Sequence, residues 1–144
     1  MPRIKLDLPE CNLFQCNITV RITDINYGQH LAHDALLGLL HEARLQWLVH
    51  LGYHSEVDIG GAGLILSDVA VIFLHEAFYG DVLQIRLGID EISQTRFELY
   101  YDVSTQAQPI AKAKTTMACF SYTERKIMSL PALFRQAIKS QEQQ

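Results

Sequence analysis

The sequence predicts an α+β domain in which an antiparallel sheet wraps one long helix. Three observations carry this. A largely apolar stretch with helical period is followed by four or so segments that alternate apolar and polar residues. The turns between those segments are short, as hairpins between antiparallel strands require. The chain has 144 residues, 49% of them hydrophobic, which is enough for one core without a metal or disulfide staple.

The first strand is expected over 16–22, where Cys16, Ile18, Val20 and Ile22 alternate with Asn17, Thr19 and Arg21. A loop follows from Asp24 to Gln29. From about Asp34 the period changes: Leu36, Leu40, Ala43, Trp47 and Leu51 fall at helical spacing, and Leu37, Leu39 and Leu48 widen the stripe. This predicts a helix buried on most sides, ended by Gly52 at the position that favours a left-handed residue.

"DIGGAG" at 58–63 reads as a flexible connector. Strand pattern resumes at Leu64, is punctuated by Gly80 and Asp81, and continues through Leu83, Ile85, Leu87 and Ile89. Phe97, Leu99, Tyr101 and Val103 repeat it, and "IAKAKTTMACFSY" forms a last long strand. "SLPALFRQAIKS" reads as a terminal helix with Ser129 as its cap and Pro131 in its first turn. No internal repeat, low-complexity tract or linker divides the chain, so 1–144 is expected to be a single domain.

A formal charge of −4, with only 12 Lys and Arg in all, argues against nucleic-acid binding, which needs concentrated positive charge. Cys11, Cys16 and Cys119 have no C-x-x-C or zinc spacing and read as reduced packing thiols of a cytoplasmic protein. The start "MPRIKLDLPE" has no apolar signal region, and no run reaches the roughly 18 apolar residues of a membrane span.

Most familiar catalytic signatures fail. His41-Glu42 begins like a zinc-protease motif, but Leu45 stands where the second ligand belongs. There is no G-x-S-x-G elbow, and the glycines at 60–63 lack the Lys-Ser/Thr ending of a phosphate loop. His30 and His33 lack a clear third metal ligand. His50, His54 and His75 stand alone and read as structural.

What remains is "TDINYGQHLAHDALLGLLHEARLQWL", which gathers Asp24, Asn26, His30, His33 and Asp34 at the mouth of an apolar helix. Ordinary structure accounts for part of it: Asp34 complements the helix dipole, while Asp24 and Asn26 stabilise a turn. It does not account for Glu42, a second carboxylate two turns along the helix, or for an imidazole beside the helix start. A helix N-terminus offers unpaired N–H groups that can polarise a carbonyl, and a nearby carboxylate can activate water.

These residues resemble the first strand, loop and central helix of hotdog-fold acyl thioesterases of the 4-hydroxybenzoyl-CoA thioesterase type. That family's form is D-x-D/N, a short loop, G-H-V-N-N or similar, then a helix containing E-A-R. "FYGDVLQIRLGI", "AKAKTTMACFSY" and "LPALFR" are similar to its later segments. The resemblance implies a hotdog fold, a helix wrapped by a curved antiparallel sheet, in a homodimer or homotetramer whose acyl tunnel lies between subunits.

It also implies a thioester hydrolase that needs no cofactor and acts on acyl-CoA or an acyl carrier protein thioester. Asn26 falls where many of these enzymes have a catalytic aspartate, so it would orient or polarise the thioester. His30 matches the family histidine, whereas Gln29, Ala32 and His33 depart from the glycine and the two asparagines. Asp34 or Glu42 is then the expected general base, with Asp24 and His33 beside the substrate. Two alternatives stay open: a hotdog enoyl-CoA hydratase, since "DINYGQH" is similar to a D-x-N-P-x-H segment without its proline, and a non-catalytic acyl-binding protein.

Overall fold

Strand β1 (Phe14–Thr19) leads through a 3-10 turn (Ile22–Asp24) to helix α1 (His33–His50). Strands β2 (Gly63–Phe73), β3 (Val82–Asp90), β4 (Arg96–Thr105), β5 (Gln108–Ser121) and the short β6 (Lys126–Ile127) follow, and helix α2 (Ala132–Glu142) comes last. These elements come from a computed structural model that describes residues 4–106 and 108–142.

The sheet runs in the order β1-β3-β4-β5-β2, with β6 paired to the end of β5, and every pairing is antiparallel. The expected α+β architecture is therefore present, with one qualification. Short turns join β3 to β4 and β4 to β5, but β2 does not pair with β3. It lies beyond β5 as an edge strand, and β1 forms the other edge.

Four local expectations are corrected. The first strand starts at Phe14 and stops at Thr19, because the chain turns into the 3-10 segment and leaves Ile22 exposed. Helix α1 is buried on one side only: Leu36, Leu39, Leu40, Ala43, Trp47 and Leu48 are in the core, while Leu37 and Val49 are exposed. Residues 58–62 are a hydrogen-bonded turn that leads into β2 at Gly63, not a loose link. The Asp58 carboxylate accepts the N–H groups of Gly60 and Gly61, and Ile59 is fully buried. At α2, Pro131 rather than Ser129 occupies the cap, its carbonyl accepting the Arg135 N–H, while Ser129 Oγ accepts from Gln94.

Gly52 ends α1 as its spacing implies. With φ +103° it is left-handed, and the Tyr53 N–H reaches back to the Leu48 carbonyl at 2.9 Å, which closes the helix end. The core lies between α1 and the inner face of the sheet. Trp47 is fully buried and meets Phe97 of β4 and Phe134 of α2 edge-on, with both ring centroids 6.1 Å away. Arg44 is the buried charge of this core. It donates to Glu56 through Nε and to the Tyr101 hydroxyl through Nη1.

The segment before β1 covers the opposite face of the sheet, where Leu6 and Cys11 pack with Tyr100. Gly88 permits this close approach: a Cβ there would stand 3.0 Å from the Glu10 carbonyl oxygen.

Candidate active site

The loop from Asp24 to Ala32 is a small closed structure. The Asn26 N–H donates to the His30 carbonyl at 3.0 Å, Gln29 donates to the Asn26 carbonyl, and Ala32 donates to the Asp24 carbonyl at 2.9 Å. Gln29 takes φ +68° to make the turn, a left-handed conformation that a glycine adopts without steric cost. Leu31 and His30 are then stitched to the strand-like stretch 77–78, through the Leu31 N–H to Ala77 carbonyl bond at 2.7 Å and the His30–Phe78 bridge. The "GD" pair ends that stretch: Asp81 accepts the Phe78 N–H at 2.9 Å, and Gly80 takes φ +88°.

The Asn26 side chain has a defined orientation. Its Oδ1 accepts the Gly28 N–H at 3.0 Å and the His30 N–H at 3.4 Å, so the oxygen faces the loop and Nδ2 carries the donors left for another acceptor. Asn26, His30, His33, His75 and Glu76 line one cavity of about 330 Å³, whose remaining wall is apolar and includes Leu31, Phe73, Leu74 and Ile110. His33 is the first residue of α1, and Ala32 caps the helix without any side-chain acceptor, so no side chain among the described residues engages the N–H groups of the first turn.

Of the residues expected at a site, then, Asn26, His30 and His33 are brought together. Asp24 is close in the chain but otherwise engaged. Its carboxylate accepts the Arg21 backbone N–H at 2.8 Å and both Nε and Nη2 of the Arg21 guanidinium at 3.1 Å. These Arg21 hydrogen bonds hold its pKa below the usual carboxylate range, and the residue braces the loop rather than lining the cavity. Asp34 sits exposed in the first turn of α1 and does not line the cavity either. Glu42 lies two turns further, accepts from Gln46 at 2.7 Å, and borders a different groove with Arg21 and Gln46.

Two cavity residues escape a reading of the sequence. His75 and Glu76 follow the end of β2, and only the β2 to β3 crossover carries them to the helix mouth. The "HEAF" stretch has no chemical spacing to reveal it. Glu76 Oε1 stands 4.0 Å from His30 Nε2. Among the described residues no three of His, Cys, Asp and Glu converge as a metal site, and no helix is long and apolar enough to cross a membrane. The thiols are ill suited to nucleophilic work, since burial pushes Cys11 up to about 11 and also raises Cys16 and Cys119.

Comparison with known proteins shows the family and the fold. A 1,4-dihydroxy-2-naphthoyl-CoA hydrolase of Microcystis aeruginosa is 30% identical over 111 residues, which span 76% of this chain and 79% of that protein. The crystal structure of a 1,4-dihydroxy-2-naphthoyl-CoA thioesterase from Synechocystis superposes with a TM-score of 0.79 at 29% identity, covering 88% of this chain and 95% of that one. A gentisyl-coenzyme A thioesterase, 19% identical, shares the fold with a TM-score of 0.78 over 87% of this chain and 99% of its own. The fold is the hotdog fold. Residues 20–138, from just after the first strand through most of the last helix, match the thioesterase-like superfamily, and the chain belongs to that family.

Proposed function

We propose that the protein hydrolyses acyl-CoA thioesters to the free acid and CoA. The observation that carries this reading is the Asn26 amide. Its oxygen is held by two backbone N–H groups, so its Nδ2 donors are preorganised beside a cavity at the first turn of α1. In this reading the thioester carbonyl oxygen accepts from Asn26 Nδ2 and from the free N–H groups of that turn. These donors stabilise the negative charge that grows on the oxygen as water attacks. His30 and His33 flank the carbonyl, and the apolar wall of Phe73, Leu74 and Ile110 holds the acyl group.

A bulky or aromatic acyl group is the proposed substrate class. A cavity of about 330 Å³ with an apolar wall suits it, and the relatives near 30% identity are named for an aromatic acyl-CoA. Two subunits are proposed to pair, because β1 and β2 leave open sheet edges, and Leu66, Val69 and Phe73 of β2 are exposed apolar residues. The general-base role first expected of Asp34 or Glu42 requires a second chain to bring one of them to the cavity. Folded Asp34→Asn and Glu42→Gln variants that both keep their turnover would leave the base to residues of the cavity itself.

The experiment that tests the function is release of free thiol from a panel of aliphatic and aromatic acyl-CoA esters, with enoyl-CoA hydration measured in parallel. Thiol release with a preference for aromatic acyl groups is expected. Hydration without thiol release would make the protein a hydratase. Binding without either reaction would make it an acyl-binding protein.

A further inference from the structure

The cavity holds two acceptors to which the reading above gives no chemical step. His30 Nδ1 lies 3.3 Å from the Leu31 carbonyl oxygen, which can only accept, so that nitrogen carries the ring proton in the neutral imidazole. The tautomer leaves Nε2 with a free lone pair, on the side of the ring that Gly28 and Glu76 approach. Nε2 and Glu76 Oε1 are 4.0 Å apart, too far for a direct hydrogen bond. They are also both acceptors, so neither can satisfy the other.

A donor with two hydrogens closes this gap. An oxygen placed about 2.8 Å from each atom sees them at roughly a right angle, close to the angle between the two O–H bonds of water. Such a water donates both hydrogens to the pair and turns its lone pairs away from them, into the cavity that Asn26 also lines.

We propose that His30 and Glu76 together hold and deprotonate the attacking water of the thioester hydrolysis. This rests on the hydrolase reading, and it assigns the base to residues of the cavity itself. The water oxygen bonds to the carbonyl carbon while one of its protons passes to the free lone pair of His30 Nε2. The imidazolium Nε2–H then faces the Glu76 carboxylate, whose negative charge stabilises it. The carbonyl oxygen carries the displaced electron pair as an oxyanion. On collapse the C–S bond breaks, its electron pair leaves with sulfur, and the proton on His30 passes to the thiolate. The products are the carboxylic acid, CoA thiol and the resting histidine.

The Glu76 side chain is 64% exposed, so Glu76→Gln should fold like the parent. The amide keeps an oxygen but not the charge. The expected result is a fall in kcat of about 10²-fold with KM within roughly threefold. His30→Ala should lose about 10²-fold or more and recover part of its turnover when free imidazole is added, which a merely structural histidine would not do.

A parent that hydrolyses acyl-CoA while Glu76→Gln keeps its kcat within about threefold would overturn the assignment and leave the hydrolase reading intact. So would failure of imidazole to restore any turnover to a folded His30→Ala variant. A parent that releases thiol from no thioester would remove the function and this inference together.

Discussion

Arg44 donates through Nη1 to the Tyr101 hydroxyl at 3.1 Å, so a charge on α1 is satisfied by β4 within the core. The same hydroxyl lies 2.7 Å from Thr115 Oγ1 on β5, and Glu56 holds Arg44 Nε from the other side. The side chains of Arg44 and Glu56 are only 7% and 18% exposed, so water cannot readily replace a lost partner. Glu56→Gln should therefore destabilise by about 2–4 kcal/mol, slightly below the range for fully buried pairs. Urea unfolding measures it, and a change under about 0.5 kcal/mol would mean the pair is solvated.

Trp47 packs against Phe97 and Phe134 with no exposed surface. Trp47→Ala should cost roughly 3–5 kcal/mol, read as a drop in the unfolding midpoint. If the variant melts like the parent yet loses activity, Trp47 lines a substrate site and is misplaced here in the core.

Asn26→Ala removes the amide donors while leaving the helix start in place. Turnover of an acyl-CoA ester should fall about 10²-fold, the size found for a single oxyanion donor, with a smaller change in KM. Equal activity in the variant would mean that the carbonyl docks elsewhere.

Asp24 gives the loop an acid limit. Its pKa is lowered in the folded state by the Arg21 hydrogen bonds, so its contribution to stability is fully present above the unfolded value of about 3.9. It is lost as pH falls through the lower folded value. Asp24→Asn should be less stable than the parent at neutral pH, and the difference should shrink below about pH 4. Because Arg21 is largely exposed, added salt should also narrow it. Thermal melts at several pH values would show a pH-independent gap if Asp24 is not ionised in this pair.

The open strands at the two ends of the sheet predict self-association. Light scattering at micromolar concentration should give a dimer or a dimer of dimers. A monomer would leave the β2 edge and its exposed Leu66, Val69 and Phe73 without a partner of the same kind.

The elements that a short window of sequence determines were legible in the sequence. The α1 stripe through Leu36, Leu40, Ala43 and Trp47 is core, and the alternation in β3 and β4 marks the right residues as buried. Asn26 and His30 belong to one cavity, as the motif suggested. Long-range topology was hidden, because nothing local in β2 says that it pairs with β5 instead of β3. Glu76 was hidden for the same reason, since a crossover that periodicity cannot reveal brings it to His30. Glu42 does not line this chain's cavity, because two helical turns are close in sequence count but about 12 Å along the axis.

The position of β2 also sets an order of events as the chain is made. β2 emerges early, yet its strand partner among the described residues, β5, is the last long strand, so Phe73 must wait for Ala111 and Gly63 for Phe120. Until then a nascent chain carries an unpaired apolar strand through the synthesis of β3 and β4. Closing that long loop is the non-local step, the kind that slows folding most. The helix end at Gly52 and the Asp58 turn offset part of this cost, because they hold the entry to β2 in place before its partner arrives.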